Sequence, residues 1–100
     1  VGATFSEDSL LLRRIMKKNY FLVPGYGAQG ATAKDIVHCF NEDGLGAIVN
    51  SSRDIIFAYQ KEKYNRRYLS TQFGLAARQS AIDMQNEINI ELKKNNKLAW

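Results

Sequence analysis

At 100 residues with 45% hydrophobic side chains, the chain has the size and composition of one globular unit. No apolar run approaches the roughly 18 residues that a membrane-spanning helix requires. A net charge of +4 points towards nucleic acid, a membrane surface or a phosphorylated ligand as the classes of partner to weigh.

The chain opens on Val1-Gly2-Ala3-Thr4, without Met and without the basic-then-apolar pattern of a signal peptide. A start inside such a run suggests a chain cut from something longer. The single cysteine, Cys39, excludes an internal disulfide and fits a reducing compartment such as the cytosol. One Cys and one His do not build a zinc site, so Cys39 reads as a small buried hydrophobe on a helix.

Ser6 is placed to cap a first helix, with Glu7 and Asp8 in the turn where the helix dipole favours acids. Leu11, Leu12, Ile15 and Met16 recur at helical spacing, and Arg13, Arg14, Lys17 and Lys18 load the far end with cations. The pattern predicts a helix over about Glu7 to Lys18. Tyr20 to Val23 is then a short apolar run without polar alternation, as in a parallel strand covered on both faces. Pro24-Gly25-Tyr26-Gly27 ends it.

Thr32 with Asp35 three residues on is a variant of the capping box, so Ala33 to Phe40 is predicted helical, with Ile36, Val37 and Phe40 on one face. Asn41-Glu42-Asp43-Gly44 is a turn, and Leu45 to Val49 a second apolar strand. Strand, helix and strand joined by short links make a βαβ unit, which needs further neighbours to stand. Beyond Arg53, Ile55 to Tyr59 fits a short helix or apolar turn. Lys61 to Tyr68 carries four cations against Glu62 and reads as a solvated face. Phe73, Ala77, Ala81, Met84, Ile88 and Leu92 form a stripe that predicts a long amphipathic helix, about Thr71 to Lys94. There is no repeat, linker or second domain.

Each predicted strand ends in small or polar residues: Pro24 to Gly30 after the first, Asn50-Ser51-Ser52-Arg53 after the second. The carboxyl ends of neighbouring parallel strands are where α/β folds bind ligands. Glycines let backbone N–H groups approach an anion, a helix start adds the positive end of its dipole, Gln29 offers an amide, and Arg53 offers a planar fork matched to phosphate oxygens. Neither segment matches a nucleotide-binding glycine fingerprint. Pattern alone therefore stops at an α/β piece with a candidate anion site.

Phe21 to Gly30 together with Phe40 to Arg53 resemble the closing part of the longer, bacterial-type orotidine 5′-phosphate decarboxylases. Val1-Gly2-Ala3-Thr4 resembles the tip of strand six in that family, and the likeness runs in register through about the first sixty residues. The resemblance implies the C-terminal part of a (β/α)8 barrel, from the end of strand six to strand eight, within a single domain spanning residues 1–100. It implies removal of CO2 from orotidine monophosphate to give uridine monophosphate, with no metal or organic cofactor, no nucleic acid or membrane partner, and a cytoplasmic homodimer as the intact enzyme. Gln29 and Arg53 match the residues that hold the substrate phosphate, with the Ser52 backbone beside them and Pro24 and Gly25 flanking the ligand; Tyr26 is expected to shape the loop. Asp54 and Ala31 stand where the family pattern favours glycine. An acid beside the phosphate arginine either caps the short helix and points away, or weakens phosphate binding. The Asp-x-Lys-x-x-Asp motif that carries the family's chemistry does not occur, so no catalytic residue is expected in this chain, and the chain alone is expected to be inactive and poorly folded.

Two other readings stay open on the residues: a different phosphate-binding barrel acting on phosphosugars, as an isomerase or epimerase, and a small basic nucleic-acid-binding domain built on the Lys61 to Tyr68 segment.

Overall fold

The computed structural model describes residues 1–27 and 30–98. The elements run α1 (Ser6–Ile15), β1 (Phe21–Val23), α2 (Ala33–Ile36), β2 (Ala47–Val49), α3 (Ser52–Ile56), α4 (Glu62–Asn65) and α5 (Phe73–Lys94), with single 3-10 turns after α2 and α3 and before α5. The predicted βαβ unit is present. β1 and β2 pair in parallel, Phe21 against Ala47, Leu22 against Ile48 and Val23 against Val49. Asn50 N–H donates to Val23 O at 3.0 Å and carries the pairing one step beyond the strands. On the other side of β1, the Val1 amino group donates to Leu22 O and Ala3 N–H to Pro24 O, each at 2.8 Å. Donor and acceptor positions rise together by two, the sense of a parallel neighbour, so residues 1–3 run beside β1.

Successive side chains on a strand face opposite ways. Phe21 and Val23 therefore share one face, where they join Tyr26, Ile36, Val37, Cys39 and Phe40 of the α2 layer and Ile88 and Leu92 of α5. Cys39 lies in this core as a free, buried thiol, the role its position predicts. The opposite face corrects the expectation of strands covered on both sides. Leu22 is 62% exposed and Ile48 61%, and they sit opposite one another in the register. A strand of apolar residues is thus half-covered by the described residues.

α1 departs further from its prediction. It begins one residue early, with Phe5 rather than Ser6 at the cap position, and it ends at Ile15 rather than Lys18. Its buried residues are Ser9 and Arg13, whereas Leu11 and Ile15 face outward. The cause is Arg13, only 6% exposed. Its Nη1 donates to Cys39 O at 2.9 Å and Gly46 O at 3.1 Å; its Nη2 donates to Asn19 O at 2.6 Å and to Met16 O. The guanidinium also lies 4.0 Å from the centre of the Phe21 ring. A cation read as one of four loading the far end of the helix is instead the tie between α1, the amino end of β1, the turn after α2 and the start of β2. These carbonyls set which face of α1 turns inward.

The Thr32–Asp35 cap forms as predicted, Thr32 N–H donating to Asp35 Oδ2 at 2.8 Å. The helix it starts tightens to a 3-10 turn over Val37–Cys39 instead of continuing to Phe40. In α5 the predicted stripe is right in its second half and displaced in its first. The inward row is Ala76, Ser80, Met84, Ile88 and Leu92, while Phe73 is 60% exposed. Ser80 can be buried because its hydroxyl donates to Asp54 O at 3.0 Å, which satisfies a group that would otherwise cost free energy to enclose. No helix among the described residues is long and apolar enough to cross a membrane.

Candidate functional site at the carboxyl ends of the strands

β1 and β2 run parallel, so the segments that follow them emerge at the same edge of the sheet. There, Pro24, Gly25, Tyr26, Asn50, Ser51, Ser52 and Arg53 line one small hollow of about 120 Å³. Gly25 turns the chain out of β1 at φ 95°, a value open to glycine. The buried Ser51 hydroxyl donates to Tyr26 O at 3.1 Å and fastens the two segments together. The Ser52 hydroxyl donates to Asn50 Oδ1 at 3.2 Å. Arg53 is exposed, and among the described residues no acid pairs with it. Of the predicted site residues, the fold thus gathers Pro24, Gly25, Ser52 and Arg53 round one concavity. Gln29 lies outside the described residues.

The segment that bears Gln29 is closed at its base. Gly27 N–H donates to Ala31 O and Gly30 N–H to Gly27 O, both at 2.9 Å, and Tyr26 and Ala31 form an isolated bridge. Ala31 is buried and takes no positive φ, so the absence of glycine there strains nothing. Tyr26 packs in the core and its phenol donates to Glu87 Oε2 of α5 at 2.6 Å. Burial, then the bond to Glu87, pushes the Tyr26 phenol above the usual tyrosine range. Spectrophotometric titration is expected to show tyrosines that ionise later than a free phenol, Tyr26 and Tyr64 among them, and Tyr26→Phe is expected to lower the amplitude of that late step by one tyrosine.

Asp54 lines a second cleft, on the α5 side, about 340 Å³ in volume and bordered by Tyr26, Gly27, Lys61, Tyr64, Asp83 and Glu87 among others. Its carboxylate pairs with Lys61 Nζ and lies against Gly27. Of the two orientations weighed for this acid, only half of the first holds: it borders a different hollow from Arg53, but it does not cap α3, whose cap position is Ser51 and carries no side-chain bond. In the same cleft Asp83 accepts from the Tyr64 hydroxyl at 2.7 Å and Gln79 Nε2 at 2.9 Å, and pairs with Lys63 at 3.3 Å. These donors, Tyr64 first, hold its carboxyl below the usual range. The Lys61 to Tyr68 segment is therefore engaged in ion pairs and in burying Tyr64. Contacts such as Tyr26 with Glu87 span sixty-one positions and left no local signal in the sequence.

The arrangement defines a parallel α/β unit with a polar hollow, bearing one arginine, at the edge where such sheets take up ligands. Over 88 residues the chain is 44% identical to the orotidine 5′-phosphate decarboxylase of Clostridium acetobutylicum, and over 96 residues 41% identical to that of Clostridium kluyveri. It is 39% identical over 88 residues to the same-named protein of Rhodopirellula baltica. These alignments take in 88%, 95% and 88% of this chain but 29%, 31% and 29% of the three relatives. The chain spans under a third of the length of the curated relatives it matches, and what it is similar to is that part of these orotidine 5′-phosphate decarboxylases. No family model matches it, and no solved structure matches it.

Proposed function

We propose that the protein carrying this chain is an orotidine 5′-phosphate decarboxylase, and that the chain supplies the end of the site that holds the substrate phosphate. The single observation that carries this reading is the hollow shared by Gly25, Ser52 and Arg53 at adjacent strand ends, with no acid among its lining residues. Arg53 gives the phosphate a bidentate, charged partner. Gln29, in the segment of sequence after β1, adds an amide to the phosphate and pyrimidine, and the Ser52 backbone and the Pro24-Gly25 turn flank the ligand. β1 and β2 are the last two strands of a (β/α)8 barrel, with residues 1–3 as the tip of the strand before them. The uncovered Leu22 and Ile48 then face the barrel interior, which in this fold is filled with branched side chains.

The residues that break the carbon–carbon bond and protonate the resulting carbanion lie outside this chain. The phosphate is remote from that bond, yet gripping it lowers the barrier if its binding energy closes the loops over the base. The intact enzyme works without metal or organic cofactor, as a cytosolic homodimer.

The test is Arg53→Ala in the full-length protein. Loss of a charged hydrogen-bonding partner is worth about 1.5–3 kcal/mol, so kcat/KM for orotidine monophosphate should fall about ten- to a hundredfold. An unchanged kcat/KM would remove Arg53 from the site.

A further inference from the structure

Asp54 stands next to Arg53 in α3 but borders a different hollow. It is held at three points. Its main-chain carbonyl accepts the Ser80 hydroxyl of α5 at 3.0 Å, Oδ1 pairs with Lys61 Nζ, and Oδ2 occupies the space over Gly27, where an added Cβ would fall 1.9 Å from it. The carboxylate is one-fifth exposed, so solvent screens it less than a surface charge. Among the described residues Lys61 has no other anionic partner.

A partly buried carboxylate one residue from an anion-binding arginine opposes the anion unless it is neutralised and turned aside. Lys61 does both. We infer that Lys61 is a positioning residue for the anion site: by pairing with Asp54 it keeps that carboxylate on the α5 side of the strand ends and cancels its charge towards a phosphate held at Arg53. The inference rests on the reading of Arg53 as the phosphate partner.

In the full-length protein, Lys61→Gln is expected to raise KM for orotidine monophosphate about three- to tenfold with kcat nearly unchanged, through the uncovered charge of Asp54. Adding Asp54→Asn to Lys61→Gln should return KM to within about twofold of the parent, and Lys61→Arg should stay near it, because each restores charge balance. Turnover of orotidine, which lacks the phosphate, should be the same in all three variants, a result that a merely structural role of Lys61 does not give. The inference is overturned if Lys61→Gln leaves KM unchanged, if Asp54→Asn does not rescue it, or if orotidine turnover falls in parallel. Arg53→Ala, assayed alongside, separates the two readings. If Arg53→Ala raises KM and Lys61→Gln does not, only the role of Lys61 fails; if Arg53→Ala is also silent, the phosphate assignment fails with it.

Discussion

Replacing Arg13 by alanine is expected to destabilise the full-length protein by about 3–5 kcal/mol, a cost set by buried acceptors left without donors. One guanidinium serves the carbonyls of Met16, Asn19, Cys39 and Gly46. Its bonds to Cys39 and Gly46 are buried, so those carbonyls lose a charged donor that water entering the vacated space replaces only in part. The substitution also removes the cation stacked on Phe21 and leaves a cavity beside the amino end of β1. Arg13→Lys keeps the charge but offers a single ammonium in place of a planar fork that reaches four acceptors, so it should recover only part of the loss. Urea unfolding, with the midpoint and slope compared across the three proteins, checks both statements. A midpoint for Arg13→Ala equal to the parent's would mean that the four carbonyls find other donors at no cost.

The second large effect is expected at Gly27. Its φ is 77°, where an L side chain costs about 1–2 kcal/mol. An added methyl would also meet Asp54 Oδ2 at 1.9 Å, and that oxygen belongs to a carboxylate held by Lys61. Gly27→Ala must therefore either break the Asp54–Lys61 pair or shift the loop that leads to Gln29. A total of about 2–4 kcal/mol follows from the backbone strain and the lost contact together. Combining Gly27→Ala with Asp54→Gly removes the collision but not the strain, so the double variant should regain only part of the stability. Full recovery would show that the collision was the whole effect; no recovery would place it all in the backbone. Thermal unfolding of the parent, both single variants and the double variant measures the coupling.

The strands and the βαβ order were legible because short unbroken apolar runs bounded by Pro, Gly and Asn have few other readings. The Thr32–Asp35 cap was legible because its partners are three residues apart. α1 was misjudged on its inner face because helical spacing rewards Leu11 and Ile15, whereas the four carbonyls that draw Arg13 inward come from segments up to thirty-three residues away. The first half of the α5 row was displaced for a similar reason: Ser80 does not count as apolar, and its burial depends on Asp54 O. At the site, Pro24, Gly25, Ser52 and Arg53 were legible as a group because parallel strands deliver the segments after them to one edge. The turn of Asp54 towards Lys61 was not, since they stand seven positions apart across the end of α3 and the 3-10 turn after it, and their meeting depends on how α3 and α4 fold back.

The bridge between Tyr26 and Ala31 seals the neck of the loop that follows β1. Whatever length or composition lies between Gly27 and Gly30, the strand register below and the Thr32 cap above are fixed by contacts outside it. Natural variation or engineering can therefore graft a longer or differently composed loop at this neck while the scaffold underneath keeps its shape.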